Sequence, residues 1–510
     1  MAHYFLGVDN GGTAVKVAIF DGHGRELAVA SRKTQVLIPR PDWQERDMEI
    51  LWTQNCACIR DVLRDSGIAP ARIAGVAVCG HGKGLYPWGR HGGPAGHAIA
   101  STDLRARAYP RRWRDSGLHA ALYPQLCQEL LPGQQAALLA WMKEHQPEVY
   151  DNIQWVFSAK DYIRFRLTGQ AGSEETDLSG SGLMDVRGGR VDPAMLRALG
   201  IGEVLEKLPP LCRSSDLCGG VTAQAARLTG LLEGTPVAGG MFDIDACAIA
   251  MDITAPDRIC TITGTWSINE TISREPCLER PVAMRSLYAI PGYYLLEECS
   301  PTSAGNLEWV LQRLSGGLEP APGQSLYSLA GEQVDSLPPQ DCPVYFLPFL
   351  YGSNSHDFAR GTFAGLTSAH TSAHLLRAVF EGVAFSHRVH IQRLWPEGAA
   401  HPPVRMAGGA ANSPVWTQIF ADVLNAPIER VQGVQELGAL GCAMAAAVAV
   451  GFFPDYTAAA REMVRMDGAV QPDPSRVPVY QRKFENYQEL ERALLPVWER
   501  LSQQMADGGS

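Results

Sequence analysis

No segment of this chain is apolar for long enough to cross a bilayer. The longest apolar run, Leu437 to Phe453, is rich in Ala and Gly and closed by Pro454; it falls short of the roughly 20 residues a spanning helix needs, so a buried helix is expected there. A surplus of positive charge is missing too. Against 54 Asp and Glu stand 44 Lys and Arg, a net charge of −10, which argues against non-specific binding to nucleic acid or to an anionic membrane. An anionic substrate is not excluded, because loops and helix N-termini supply local positive potential. Cysteine forms no pattern: of twelve, Cys56 and Cys58 are the one close pair, and Cys-x-Cys without a second pair or a nearby His is not a zinc site. No disulfide framework is implied, and no basic stretch followed by an apolar one opens the chain. A cytoplasmic protein is expected.

What is present is an ordinary apolar supply on a long chain. With 510 residues, 46% hydrophobic and 19% charged, the sequence predicts two to four domains with large cores. Phe5-Leu6-Gly7-Val8-Asp9 is an apolar run ending in a carboxylate, Asn10-Gly11-Gly12-Thr13 is a turn, and Lys16 to Asp21 is a second run. Glycines let backbone N–H groups approach an anion with no Cβ in the way. Thr13 offers a hydroxyl, Lys16 a positive charge, and Asp9 a carboxylate able to hold a metal ion that screens phosphate oxygens. Alone, this is also an ordinary hairpin. An echo at Cys260 to Ile268, with Gly264-Thr265 at its turn, shifts the reading toward two phosphate loops facing one cleft.

Periodicity predicts strands at Tyr4–Asp9, Val15–Asp21 and Glu26–Gln35, a helix over Met48–Ser66, and a buried strand at Ile73–Cys79 leading into the loop Gly80-His81-Gly82-Lys83-Gly84. Residues 105–170 read as mostly helical. Pro236 to Asp243 is a short strand and a glycine turn, and Ile244–Met251 a helix. Ala255-Pro256-Asp257 marks a boundary that divides the chain into 1–253 and 254–510. The second half repeats the theme: helices over Thr302–Leu314, Leu375–Leu394, Pro414–Leu424 and Val479–Gln504, an extended Val344–Leu350, and a strand from Val404 into Gly408-Gly409-Ala410. A duplicated α/β unit with a ligand groove between its halves is expected.

These residues carry a family signature. Gly361-Thr362-Phe363-Ala364-Gly365-Leu366, then His374-Leu375 and Ala378-Val379-Phe380-Glu381, resemble the C-terminal signature of the FGGY carbohydrate kinases at every required position. Asp42-Trp43-Gln44-Glu45, Asp103-Leu104-Arg105, Lys160-Asp161-Tyr162, Leu167-Thr168-Gly169 and Gly408-Gly409-Ala410 with Asn412 resemble further family segments. There are departures. Leu138 stands where the N-terminal signature wants Lys, Ser101-Thr102 replaces Trp-Asn, and the first phosphate loop is Gly11-Gly12-Thr13 rather than Gly-Thr-Thr or Gly-Thr-Ser. Within the family the chain most resembles the L-xylulose kinases, in Gly82-Lys83-Gly84-Leu85, Phe242-Asp243, and the segments from Ser300 to Trp309 and Phe346 to Asn354.

The resemblance implies two ribonuclease H-like domains of the actin-like ATPase class around a central active-site cleft. It implies ATP and Mg²⁺ as cofactors and phosphorylation of the terminal hydroxyl of a ketopentose, xylulose first, with ribulose, erythritol or glycerol as alternatives. A nucleotide-binding regulator of the same fold is the remaining alternative. Asp243 is the expected base; Asp245 competes, and the spacing to Ala246 after the Gly239-Gly240 turn favours Asp243. A helix N-terminus would keep that carboxylate ionised. Asp9 is expected to position Mg²⁺ through water. Gly11, Gly12, Thr13 and Lys16 are expected on the transferring phosphate, Gly264 and Thr265 opposite, and Gly408, Gly409, Ala410 and Asn412 on the adenosine or α-phosphate. Gly82, Lys83, Asp103 and Asp243 are expected on the sugar, with His81 a loop hydrogen-bonder rather than a base. A small-molecule sugar is the expected partner, with neither nucleic acid nor membrane, and a homodimer is the oligomeric expectation.

Overall fold

The architecture is that of a computed structural model, which describes residues 3–264, 266–314, 318–356, 358–395 and 402–507. Three strands open it as an antiparallel meander: β1 (Tyr4–Asn10), β2 (Ala14–Asp21) and β3 (Glu26–Lys33). Helix α1 (Met48–Ser66) follows. Asp47 caps it by accepting the amides of Glu49 and Ile50, and left-handed Gly67 ends it. Its face of Leu51, Trp52, Ile59 and Val62 is buried against the meander. The chain returns as β4 (Ile73–Gly80), parallel to β1, and the sheet is finished by β5 (Leu217–Gly220), β6 (Pro236–Ala238) and the short β7 (Met241–Phe242). The strand order is β5-β6-β4-β1-β2-β3, with β7 also on β4.

The second half builds the same plan. β8 (Ile259–Thr263), β9 (Ser267–Ser273), β10 (Met284–Leu287) and β11 (Tyr294–Ser300) are antiparallel, and β12 (Val404–Gly408) and β13 (Ile428–Arg430) add in parallel. The order β10-β11-β9-β8-β12-β13 contains the first sheet's order of three antiparallel and two parallel strands. The duplication expected from the two Gly-Thr turns is therefore a duplication of topology.

Three elements differ from the periodicity reading. Ile153–Phe157 is a strand paired with Tyr86–Gly89 inside the helical 105–170 region. The extended segment expected at Val344–Leu350 narrows to Tyr345–Leu347. A helix over Leu326–Asp335, capped by Ser325, is missing from the periodicity reading, although Leu326, Leu329, Ala330 and Val334 stand at helical spacing.

The expected buried helix Leu437–Ala449 lies against the first sheet, although it comes late in the chain. A Cβ on Gly7 would meet Ala439 O at 1.8 Å, and one on Gly441 would meet Ala246 O at 2.1 Å. Small residues let backbones approach here, so this helix packs on both β1 and helix α2 (Asp243–Ala250) and joins the two halves. Arg405 of β12 adds a clamp, donating to Met251 O at 2.8 Å and pairing with Asp252 at 3.0 Å.

Candidate active site

The strand ends assemble the site. Asp9 pairs in register with Cys79, and Cys79 with Met241; Asn10, Gly80 and Phe242 form the next row. Asp9 and Asp243 thus stand at neighbouring strand ends, two strand spacings or about 10 Å apart across the sheet. Gly240 makes this possible. Its φ is +74°, and a Cβ there would lie 1.9 Å from Val78 O. The turn brings β7 beside β4 and delivers Asp243 to the first position of α2. Thr176 fixes the approach by accepting the Phe242 amide at 2.9 Å.

The loop expected to meet phosphate, Gly11 to Thr13, is held from beneath. Buried Arg46 donates to Gly11 O at 3.5 Å and to Gly12 O. A trans peptide places C=O and N–H on opposite sides, so the amides of Gly12 and Thr13 are aimed away from Arg46, where an anion can meet them. Nothing lies within 4 Å of a Cβ built on Gly12. Lys16 is engaged by Glu436 at 2.7 Å, so its charge is shared before any phosphate arrives. Arg46 directly follows the Asp42 to Glu45 segment and carries no glycine or carboxylate signal of its own, which is why sequence reasoning passed over it.

Asp9 fits a metal-binding role by its chemistry. Its Oδ1 is shielded from solvent and has no hydrogen-bond partner among the described residues. Burial pushes the carboxyl up to about 6 against the pull of Lys16. An oxygen donor with an unused lone pair suits Mg²⁺ or a water in its shell.

Asp243 is half-buried. Its carboxyl is pushed well up, first by burial and then by the charges of Asp9, Asp177 and Glu297. The expectation that the helix N-terminus keeps it ionised is therefore corrected: the Ile244 amide lowers the value, but desolvation and three nearby acids outweigh it. A cation among these carboxylates would restore the ionised form. Asp245 is fully buried and accepts the Ala289 amide at 3.0 Å, which ties it to the opposite half. Behind the cleft, buried Lys160 pairs with Asp161 at 2.9 Å and Glu174 at 3.2 Å. This network was seen in sequence only as part of a resemblance.

On the sugar side, Gly82 packs on the ring of Phe242, where a Cβ would sit 2.2 Å away. Lys83 adopts φ +64°, and forms no ion pair among the described residues. His81 bonds Tyr86 OH at 3.1 Å, and burial and Arg46 press it down to about 3, consistent with a neutral hydrogen-bonder. Asp103 is different. It is 0% exposed and accepts from Arg105 N at 2.8 Å, Arg105 Nε and Nη2 at 2.9 Å, and the Gln44 amide at 2.6 Å. Four donors fill its lone pairs, so the geometry gives it a loop-fixing place in the fold and leaves no acceptor for a sugar hydroxyl.

The second loop opens on a cavity of about 680 Å³ lined by Gly264, Gly409, Asn412, Ser328, Tyr327 and Trp416, among others. Apolar walls with a few polar groups suit a nucleoside. Gly408, at φ +90°, lies on a neighbouring cavity of about 840 Å³ that shares Asn412. Ala410 is buried and its amide is taken by Thr263 Oγ1 at 3.1 Å. It caps the turn and has no free amide for the nucleotide, which corrects the role expected for it. Thr265 lies outside the described residues.

Comparison with known proteins gives the family and agrees with the fold. Residues 4–250 match the N-terminal domain model, and residues 260–450 the C-terminal domain model, of the FGGY family of carbohydrate kinases. The chain belongs to the FGGY family. It is a sugar phosphotransferase with the two-domain actin-like ATPase fold. Among FGGY relatives, the L-xylulose/3-keto-L-gulonate kinase of Escherichia coli K12 is 39% identical over 97% of this chain and 98% of its own length. A probable L-xylulose kinase of Pasteurella multocida is 35% identical over 96% of this chain and 99% of its own. The crystal structure of a xylulose kinase from Rhodospirillum rubrum superposes with a TM-score of 0.88 at 27% identity, covering 98% of this chain and 100% of that one. Such relatives support a pentulose kinase.

Proposed function

We propose that this FGGY kinase transfers the γ-phosphoryl group of ATP to the terminal hydroxyl of L-xylulose. One observation carries the reading: a half-buried aspartate, Asp243, opens a helix beside the metal-suited Asp9, in a fold whose other half presents a nucleoside-sized cavity at Gly264, Gly409 and Asn412. Asp243 would accept the hydroxyl proton, since phosphoryl transfer asks for a placed nucleophile, neutralised phosphate charge and little covalent chemistry. Asp9 would hold Mg²⁺ through water; the ion, when bound, screens the phosphate oxygens and lowers the proton affinity of the acids around it. Gly12 and Thr13 would receive the transferring phosphate, and Gly409 and Asn412 the adenosine. Residues 1–253 would form the sugar lobe and 254–510 the nucleotide lobe.

The relatives' names support the substrate, and so does Lys83, a cation placed in the expected sugar loop. Lys83 equally favours a second reading: an acidic ketose such as 3-keto-L-gulonate, whose carboxylate would face that ammonium. A coupled ADP-release assay over pentuloses, 3-keto-L-gulonate, erythritol and glycerol separates the two, with the product's phosphate position read by NMR. ADP release that no sugar stimulates would remove the kinase reading.

A further inference from the structure

Two adjacent glutamates of β11 meet opposite fates. Glu298 is turned toward helix Ser372–Leu394, where His390 at 2.9 Å, Arg393 at 3.0 Å and the Ala283 amide at 2.6 Å satisfy it. Strand alternation turns Glu297 to the other face, the face that meets the first lobe. Glu297 is only 4% exposed, and its Oε2 has no hydrogen-bond partner among the described residues. Glu270 stands directly opposite it on β9, so no cation comes from the neighbouring strand. A buried carboxylate oxygen left unpaired is costly.

Its surroundings locate it. The charge of Glu297 acts on Asp243. Cys299, two residues on and so on the same face, feels both Glu297 and Lys83. Edge strand β10, next to β11, is bonded to the first lobe, where Ser179 Oγ accepts the Leu287 amide at 2.9 Å. Glu297 therefore lies within electrostatic range of the expected base, on the strand face it shares with Cys299.

We propose that Glu297 is a specificity-determining residue that accepts a hydrogen bond from a hydroxyl of the ketose other than the one phosphorylated. The second lobe then reads the sugar directly, rather than only carrying the nucleotide. Hydroxyl donation fills the orphaned oxygen, and a sugar whose hydroxyl points elsewhere leaves it empty. Sites built this way discriminate strongly, because the wrong ligand strands a desolvated polar group. The proposal rests on the pentulose kinase reading.

The test compares wild type, Glu297→Gln and Glu297→Asp on L-xylulose, D-xylulose, L-ribulose and D-ribulose. The expected result is a fall of about 10-fold or more in kcat/KM for the preferred pentulose, with the ratio between epimers compressed and the KM for ATP unchanged within about twofold. Glu270→Gln, which alters the fully buried neighbour bonded to Cys260, should leave the epimer ratio alone. An equal proportional loss on all four sugars, no change at all, or failure of both Glu297 variants to fold would overturn the proposal. In the first two cases wild-type turnover survives and the kinase reading stands. If wild type turns over no pentulose, the reading itself has failed and Glu297 falls with it.

Discussion

Asp243 and Gly82 are the residues where chemistry and packing meet. Asp243→Asn keeps the shape of the side chain and removes its ability to take a proton. Turnover should fall by at least about 100-fold, while ATP affinity, measured by calorimetry, stays within about twofold. Sugar kinase activity close to wild type would assign the base elsewhere, Asp245 being the obvious rival. Gly82→Ala tests the packing. Its Cβ would overlap the Phe242 ring at 2.2 Å, and Phe242 is the residue before Asp243. The ring must move, so kcat should drop more than nucleotide affinity does. Unchanged kcat would mean the ring yields without disturbing the base. Residue types at these positions were readable in the sequence. Their contexts were not: Asp103 looked like a sugar ligand until its four donors were seen, and Arg46 looked like nothing in particular.

At the scale of elements, the strands and main helices were legible because they follow periodicities of 2 and 3.6 and end in recognisable caps. Met48–Ser66 is a clear case, with Asp47 before it and Gly67 after it. The short helix Leu326–Asp335 went unread although Leu326, Leu329, Ala330 and Val334 stand at helical spacing, because so brief a run gives only a brief periodic signal. The decisive element is helix Leu437–Ala449. Its uniformly apolar sequence announces burial on every side but not against what. Gly441→Ala would drive a Cβ into Ala246 O at 2.1 Å, a backbone atom that cannot rotate aside. A loss of stability of about 1–3 kcal/mol or more is expected, read as a fall in the denaturant midpoint at constant m-value. A neutral result would mean that the two crossing helices separate freely. By contrast, Gly67→Ala tests only its left-handed φ of +64°, with no neighbour to strike.

For the whole molecule, the buried histidine sets one response to pH. His81 is held near 3 in the folded protein, against an ordinary value of 6.5. Between those values the unfolded chain binds a proton that the folded one does not, so stability rises with pH and is lost as pH falls below about 6.5. The slope from one such group approaches about 1.4 kcal/mol per pH unit. His81→Asn should therefore flatten the decline of stability between pH 6.5 and 5, measured by urea melts at each pH. Parallel curves for the two proteins would show that the imidazole is protonated in the fold at no cost. The carboxylates of the cleft respond in the opposite sense. Asp177, raised to about 7 by burial, takes up a proton on folding below that pH, so its own contribution favours the fold as pH falls.

By itself the sequence determined the repeated α/β plan, the two Gly-Thr turns, the family and the kind of reaction, because these rest on local periodicity, on turn chemistry and on motifs read along the chain. Only the tertiary structure decided which acids share one cleft, that Asp103 and Ala410 are already satisfied, and that a late helix underlies the first sheet. Burial and hydrogen-bond saturation belong to groups brought together from distant positions. A carboxylate's role is set by how many donors reach it and how much water is excluded, and neither quantity exists until the chain has folded.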